Sequence, residues 1–247
     1  MNHIVAFSGG IASSIVASVV LKQHPDATLL YHDTATEPED NDRFREDVSS
    51  YLDTVITAYS DGRDIWQIFA DEGYLGNGRN TMCSRILKQE MSKAYIKKHS
   101  PAVLYVGFTA DEWQRAQRFI ARYAGFDVEV RFPLMEQRIS KAECFHRVKT
   151  CWGIRLPEMY AWTGHANCIP CVKGSQYYWG LLHKHERQAW ERMAQAEDDF
   201  GHTLFSDGDS LREKLPNCLR LAKKYEQMRE GERRQVSLFA FPCECSV

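Results

Sequence analysis

Two patterns of hydrophobic positions alternate through the first half of the chain. Short segments rich in β-branched and other apolar residues are separated by longer segments in which apolar residues recur with helical spacing. Strands that alternate with helices in this way form a parallel sheet with crossover helices on both faces, and such sheets bind ligands at the carboxyl ends of their strands. The predicted strands are 3–7, 28–32, 53–57, 102–107 and 127–131, and the predicted helices are 12–23, 38–51, 63–72, 83–98 and 111–123.

The strand pattern ends near residue 135, and the rest of the sequence is helical or irregular. The predicted segments there are a helix at 140–150, an aromatic and glycine-rich stretch at 152–180, and helices near 186–199 and 209–230. We therefore predict an α/β domain at 1–135 and a smaller helical C-terminal region at 136–247 that packs on it.

The composition is that of a globular protein, with 44% hydrophobic and 26% charged residues in a chain of 247. No apolar run approaches the roughly 20 residues that cross a bilayer, and the first residues lack the features of a signal peptide. We expect a cytoplasmic protein with no membrane partner. A net charge of -2 argues against a protein that coats nucleic acid by bulk charge, although a local basic face would still bind a polyanion. Eight cysteines indicate metal binding or redox chemistry rather than a disulfide framework.

The first predicted strand runs into a loop suited to an anion, in the sequence HIVAFSGGIASS. Glycines let backbone N–H groups approach a phosphate, serine hydroxyls add donors, and the positive end of the helix dipole favours negative charge. The spacing excludes the Walker loop and the dinucleotide fingerprint. The alternative is an ordinary strand-to-helix turn, in which Ser and Gly are common caps. The predicted phosphate ligands are Ser8, Gly9, Gly10, Ser13 and Ser14.

This loop resembles the SGGxxSS loop of the PP-loop ATP pyrophosphatase superfamily. Many members have Lys-Asp between the glycines and the serines, where this chain has Ile11 and Ala12. The stretch YHDTATEPED after the second strand is similar to the segment DTG.E.P of the sulfonucleotide (PAPS) reductases in that superfamily. The resemblance implies a Rossmann-like, adenine nucleotide alpha hydrolase-like fold, with Asp33 and Thr34 on the nucleotide or on a Mg²⁺ ion. Without a ligand, the same stretch is a helix N-cap with an acidic first turn.

A third segment, GNGRNTMCSRILKQE, resembles the cysteine-bearing segment of the PAPS reductases. Cys83 is predicted to open a helix, and the resemblance places Arg85 and Lys88 at the phosphate or sulfate end of the substrate. A thiolate at a helix start near Arg and Lys is predicted to have a lowered pKa, which suits nucleophilic chemistry or metal ligation. The alternative is an inert, partly buried thiol.

A fourth segment, VGFTADEWQRAQRF, is similar to the family segment G..ADE..R. The resemblance places Gly107 and Asp111 at the nucleotide, and Arg115 beside the charge that develops on the transferred group. Arg115, Arg118 and Arg122 share one face of the predicted helix. That face either binds a polyanionic substrate or is solvated, with local ion pairs.

The strongest metal signal is HANCIPCVKGSQYYW, a CxxC formed by Cys168 and Cys171. Cys83 lies 85 residues before Cys168, a separation close to that between the helix cysteines and the CxxC of the iron-sulfur adenylylsulfate reductases. Those enzymes have a Cys-Cys pair where this chain has a single cysteine, so Cys243 and Cys245 are the candidate replacements. Four thiolates hold a [4Fe-4S] cluster or a structural zinc, and the spacing does not separate the two. The nearness of a helix-start thiolate to the nucleotide site favours the cluster.

Three functions are consistent with these residues. The leading hypothesis is an enzyme that binds ATP or a related adenine nucleotide, activates an acceptor and transfers sulfur with a cysteine-bound iron-sulfur cluster. The second is a sulfonucleotide reductase in which Cys245 attacks the sulfate sulfur, because the reductases end in a segment containing Glu-Cys-Gly and this chain has Glu244 before Cys245. The third is a non-catalytic nucleotide-binding module with structural zinc. The candidate acceptors are a tRNA base, DNA and a small molecule, and a sulfur or electron donor protein is an expected partner.

Overall fold

The computed structural model describes residues 1–236 and contains a parallel sheet of five strands. In chain order the strands are β1 (Asn2–Ala6), β2 (Thr28–Tyr31), β3 (Ile56–Ala58), β4 (Ala102–Tyr105) and β5 (Val128–Arg131). Every pairing is parallel, and the order across the sheet is β3-β2-β1-β4-β5. Because the winding reverses between β1 and β4, the crevice at their carboxyl ends is where an open α/β sheet binds its ligand.

Helices connect the strands at the predicted places. They are α1 (Ile11–Gln23), α2 (Glu39–Tyr51), α3 (Ile65–Glu72), α4 (Met82–Ser84), α5 (Met91–Lys98), α6 (Trp113–Arg122) and α7 (Pro133–Glu136). A π-helical segment, Arg85–Glu90, joins α4 to α5, and a 3-10 turn, Ala110–Glu112, leads into α6. The sequence pattern thus located these helices correctly and did not distinguish their helical type.

The C-terminal region is helical, as predicted. Its helices are α8 (Lys141–His146), α9 (Met159–Trp162), α10 (Gln176–His185), α11 (Arg187–Phe200) and α12 (Leu211–Val236). A π-helical segment, Arg147–Cys151, extends α8. The helix α10 was not predicted, because it lies largely in the aromatic and glycine-rich stretch. None of the helices in residues 1–236 is both long and apolar enough to cross a membrane.

The sheet is buried on both faces, as consecutive strand residues point to opposite sides. Val5 of β1 lies in a core with Ile15 of α1 and Phe44 of α2. Its neighbour Ile4 lies in a second core with Ile96 of α5. Helices therefore cover both sides, and the loops at the carboxyl ends of the strands are left as the accessible edge.

A third core fixes the C-terminal helices against the earlier part of the chain. It contains Phe69 of α3 and Leu87 of the π-helical segment, together with Trp179 of α10, Trp190 of α11 and Leu211 of α12. The helical region therefore packs beside the segment that carries Cys83. Because residues from both sides of position 135 share these cores, the domain boundary near 135 stays a prediction.

Candidate functional site

The loop that follows β1, residues 8–14, is folded tightly around the start of α1, and we refer to it as the glycine loop. Gly9 has a φ of +71°, a left-handed conformation that glycine adopts without strain. The backbone N–H of Ser8 donates to the Ser13 hydroxyl at 3.1 Å. The hydroxyls of Ser13 and Ser14 donate to the Gly10 carbonyl oxygen at 2.8 and 3.0 Å. The predicted phosphate ligands thus lie together, with both serine hydroxyls bonded to the loop's own backbone.

Two other parts of the chain contact the glycine loop closely. The hydroxyl of Tyr160, on α9, accepts a hydrogen bond from the Ile11 N–H at 3.3 Å, and a Cβ on Gly10 would lie 3.1 Å from that hydroxyl. After β4, a Cβ on Gly107 would lie 3.1 Å from the backbone nitrogen of Ser13. Glycine at 107 therefore lets the end of β4 approach α1, whereas its predicted contact with a nucleotide stays a prediction.

A buried carboxylate joins the glycine loop to the cysteine-bearing segments. Glu37, whose side chain is 5% exposed, accepts a hydrogen bond from Arg45 at 3.1 Å and lies 3.6 Å from the Lys88 ammonium. Arg45 reaches over Gly9, since its Cδ lies 3.4 Å from the position of a Cβ on that glycine. One carboxylate thus holds a cation beside the glycine loop and a second cation beside the cysteines.

The CxxC loop is attached to the loop that follows β2. The Thr34 hydroxyl and the Cys168 sulfur are 3.1 Å apart, and the Ile169 N–H donates to the Thr36 carbonyl at 2.9 Å. Thr34 is 1% exposed, so this contact lies inside the molecule. Residues 134 positions apart therefore meet at the carboxyl edge of the sheet, as the placement of both segments at strand ends or in the C-terminal loop predicted.

Cys83 and Cys171 lie near Cys168, because the three thiols affect one another's ionisation. Burial raises the pKa of Cys83 to about 11, and the charges of Cys171 and Cys168 add to the shift. Burial lowers the pKa of Lys88, but the negative charges of Cys168 and Glu37 outweigh it and the net shift is upward. The prediction of a lowered pKa for Cys83 is therefore wrong. The helix α4 has only three residues, and the thiol is buried among other thiols.

The predicted metal site is only partly within the described chain. Cys243 and Cys245 lie outside the described residues, so the proposed fourth ligand and the proposed nucleophile stay predictions. Within residues 1–236, no group of three or more His, Cys, Asp or Glu is arranged to hold a metal ion. The three described thiols by themselves do not fit a [4Fe-4S] cluster or a zinc ion, and we derive no chemical step from one.

The two predicted acidic ligands are bonded within their own loops. The Asp33 carboxylate accepts the Ala35 N–H at 2.8 Å, and the Asp111 carboxylate accepts the Thr109 hydroxyl at 2.5 Å. Both lie at the carboxyl edge of the sheet, after β2 and β4. Their predicted contacts with ribose or Mg²⁺ remain untested.

The predicted arginines are placed differently. Arg85 is half exposed and pairs with Glu90 at 2.5 Å. Arg115 pairs with Glu112 at 2.6 Å and lies over the Phe108 ring. The Arg118 guanidinium donates to the backbone of its own helix. The arginine face of α6 is thus exposed and carries local pairs, whereas the charge beside the cysteines comes from Lys88.

Four residues of the site were not predicted from the sequence. Lys173 follows the CxxC directly and donates to the Ser84 hydroxyl at 2.8 Å, so its position in CVKG was an available signal. Glu37 was visible in the segment DTATEPE but had no assigned role. Arg45 and Tyr160 carry no motif, because only the packing of α2 and α9 brings them to the glycine loop.

A cleft of about 880 Å³ opens on the other side of the loop that follows β2. Thr36, Glu37 and Ile169 form the part of its wall that borders the site. Most of its charged lining is acidic: Glu37, Glu39, Asp40, Asp64, Glu158 and Glu186, against Arg43 and Arg192. A polyanion is therefore disfavoured on this side of the site.

The strand order and the glycine loop at the end of β1 define an α/β protein with its ligand edge at the carboxyl ends of the strands. Residues 2–136, just over half of the chain, match the family model described as the phosphoadenosine phosphosulfate reductase domain. The chain belongs to this family, which is part of the PP-loop ATP pyrophosphatase superfamily and whose members are enzymes. The match includes the glycine loop, Cys83 and Lys88 but ends before the CxxC. No curated protein matches the chain.

Proposed function

We propose that this protein is an enzyme that binds ATP or a related adenine nucleotide and transfers sulfur to an acceptor at its cysteines. The observation that carries the proposal is the contact between Thr34 and Cys168. It attaches the CxxC loop, which lies beyond the family match, to the sheet edge at which this fold binds nucleotides. Nucleotide and thiols would therefore share one site.

The residues of the site have distinct roles in this proposal. Backbone N–H groups of the glycine loop bind the phosphates, and a Mg²⁺ ion neutralises their remaining charge. Arg45 and Lys88 add positive charge on either side of Glu37, which fixes their positions. A thiol of the cysteine group carries or receives the sulfur, at a distance from the phosphates set by the loop after β2.

Nucleotide binding is tested by isothermal titration with ATP. We expect Gly10→Asp to lose most of its affinity, because its Cβ would crowd the Tyr160 hydroxyl and its carboxylate would repel phosphate. The matched control is Gly78→Asp, since Gly78 is exposed, has ordinary backbone geometry and has no atom within 4 Å of the point where a Cβ would lie. Equal ATP affinity in both variants would contradict this placement of the phosphates.

The reaction is tested with labelled ATP and candidate acceptors. Formation of AMP and pyrophosphate that depends on the acceptor, together with loss of sulfur transfer in Cys168→Ser, would support the proposal. Binding of ATP without turnover of any acceptor would instead support the non-catalytic module. In that case stoichiometric zinc would be expected in protein purified without oxygen.

The second candidate function is reduction of a sulfonucleotide, which the family match itself favours. It is tested by incubating the protein with PAPS or adenylylsulfate and a dithiol reductant and measuring sulfite. Cys245→Ser should abolish sulfite formation if the tail cysteine is the nucleophile. Iron and sulfide analysis of the same anaerobic protein tests whether Cys83, Cys168 and Cys171, with a tail cysteine, hold an iron-sulfur cluster.

A further inference from the structure

A group of positive side chains lies on the side of the site away from the acidic cleft. Its central member is Arg229 of α12, whose guanidinium donates to the Tyr160 carbonyl oxygen at 3.0 Å. The Cζ atom of Arg229 also lies 3.5 Å from the position of a Cβ on Gly164. Because Tyr160 contacts the Ile11 N–H, Arg229 is one residue removed from the start of α1.

The Arg229 guanidinium is incompletely bonded. Its Nη1 atom is buried and has no hydrogen-bond partner within the described part of the chain. A buried donor without a partner costs about 1–3 kcal/mol, and a charged donor costs more. A donor of this kind beside a ligand edge is expected to be completed by a bound acceptor.

Other cations face the same place from three elements. The pKa of His165 is lowered by desolvation and by the positive charges of Lys141, Arg229 and Arg115. The pKa of Lys141 is lowered by desolvation and by Arg229. Lys141 is also the first residue of α8, where the helix dipole opposes a positive charge. The folded chain therefore gathers cations that repel one another.

The carboxylates nearby only partly offset these charges. Asp111 and Glu112 raise the pKa of Lys141, and Glu112 raises that of His165. Both carboxylates are bonded at the start of the 3-10 turn, where Glu112 accepts the Thr109 N–H at 3.1 Å and pairs with Arg115. Neither is hydrogen-bonded to Nη1 of Arg229.

We infer that Arg115, Lys141, His165 and Arg229 form a subsite for a phosphate or sulfate group, separate from the phosphates on the glycine loop. Such a group has enough acceptor oxygens for Nη1 of Arg229 and enough negative charge to offset the cations around it. It is either a second anionic group of the nucleotide or an anionic group of the acceptor. The subsite does not depend on the proposed reaction, although it deepens the proposed function by adding an anionic feature to the substrate.

The test measures binding of inorganic phosphate and of pyrophosphate by isothermal titration. Arg229→Gln and Lys141→Gln should each weaken binding about tenfold or more, as expected for loss of a charge-assisted hydrogen bond. Lys223→Gln is the matched control, because it removes one positive charge from an exposed position on α12. Thermal denaturation shows whether each variant is folded, and Lys141→Gln keeps the test valid if Arg229→Gln is not.

Two comparisons separate this inference from the proposed function. Gly10→Asp should lose ATP but keep phosphate, because its substitution lies in the glycine loop. If ATP binding also weakens in Lys141→Gln, the group belongs to the nucleotide; if only phosphate binding weakens, it belongs to the acceptor. The inference is overturned if the wild-type protein binds neither anion, if both cation variants bind like Lys223→Gln, or if Gly10→Asp alone abolishes phosphate binding.

Discussion

Replacement of Gly107 by alanine tests whether this glycine holds the end of β4 against α1. A Cβ at position 107 would lie 3.1 Å from the Ala12 carbonyl carbon and 3.1 Å from the Ser13 nitrogen. Ordinary contacts between such atoms are about 3.5–4.0 Å. Because both atoms belong to the backbone of α1, neither can rotate away, and the strand end and the helix must separate by several tenths of an ångström.

The expected cost follows from two opposing effects. Overfilling a packed contact typically costs about 1–3 kcal/mol, whereas Gly→Ala also restricts the unfolded chain and stabilises by about 0.4–1 kcal/mol. Gly107 does not have a positive φ, so no backbone strain is added. We expect a net loss of roughly 0.5–2.5 kcal/mol, which corresponds to a fall in Tm of roughly 1–10 °C for a chain of this size.

The assay is thermal and urea denaturation of Gly107→Ala beside Gly78→Ala, followed by titration with ATP. Gly78 has no atom within 4 Å of its Cβ position, so its variant shows only the effect on the unfolded chain. ATP affinity should fall in Gly107→Ala, because the displaced helix start carries the glycine loop. If the two variants are equally stable and bind ATP equally well, the packing argument is refuted; lost affinity at unchanged stability would instead indicate direct contact of Gly107 with the ligand.

Three further substitutions test other parts of the structure. Gly180→Ala should destabilise the protein by about 3 kcal/mol or more, because its Cβ would lie 2.1 Å from the Cys218 carbonyl oxygen where α10 crosses α12; stability equal to that of Gly78→Ala would contradict this crossing. Glu197→Ala should cost about 2–4 kcal/mol in urea denaturation, since its buried carboxylate accepts the N–H groups of Leu204 and Leu211, and Glu197→Gln should cost less. Asp40→Asn should lower Tm more at pH 7 than at pH 3: hydrogen bonding to Arg43 lowers the folded-state pKa of Asp40, so its contribution is present above an unfolded-state pKa of about 3.9 and is lost as the pH falls below it. An equal Tm difference at both pH values would contradict that role.

The fold could be predicted from the sequence wherever a single period of hydrophobicity was unbroken. The strands alternate in burial between two cores, and helices such as α1 follow a 3.6-residue period, so both gave clear signals. The helix α10 gave none, because Gly180 and its aromatic neighbours have the composition of a loop. Gly180 is helical because α12 passes within contact distance of its backbone. That reason is tertiary and has no counterpart in the local sequence.

The site was predictable only as far as topology places strand ends together. Thr34 and Cys83 could be assigned to one edge of the sheet from their places in the chain, and Thr34 does contact Cys168. The ionisation of Cys83 could not be predicted, because it depends on burial and on two thiols that are distant in sequence. Tyr160 and Arg229 belong to no motif, and their positions follow from the packing of α9 against α12.

The departure at Ile11 and Ala12 shows how this packing changes the interpretation of a motif. Many relatives carry Lys-Asp at these positions, but here Ile11 is 2% exposed in the core beneath α1 and the Ala12 backbone faces Gly107. A positive side chain nevertheless lies at the loop, because Arg45 crosses Gly9 from α2 and is held there by Glu37. The same carboxylate also holds Lys88 beside Cys168. A missing lysine in the glycine loop is therefore weak evidence against phosphate binding when a neighbouring helix supplies the charge and links it to the cysteines.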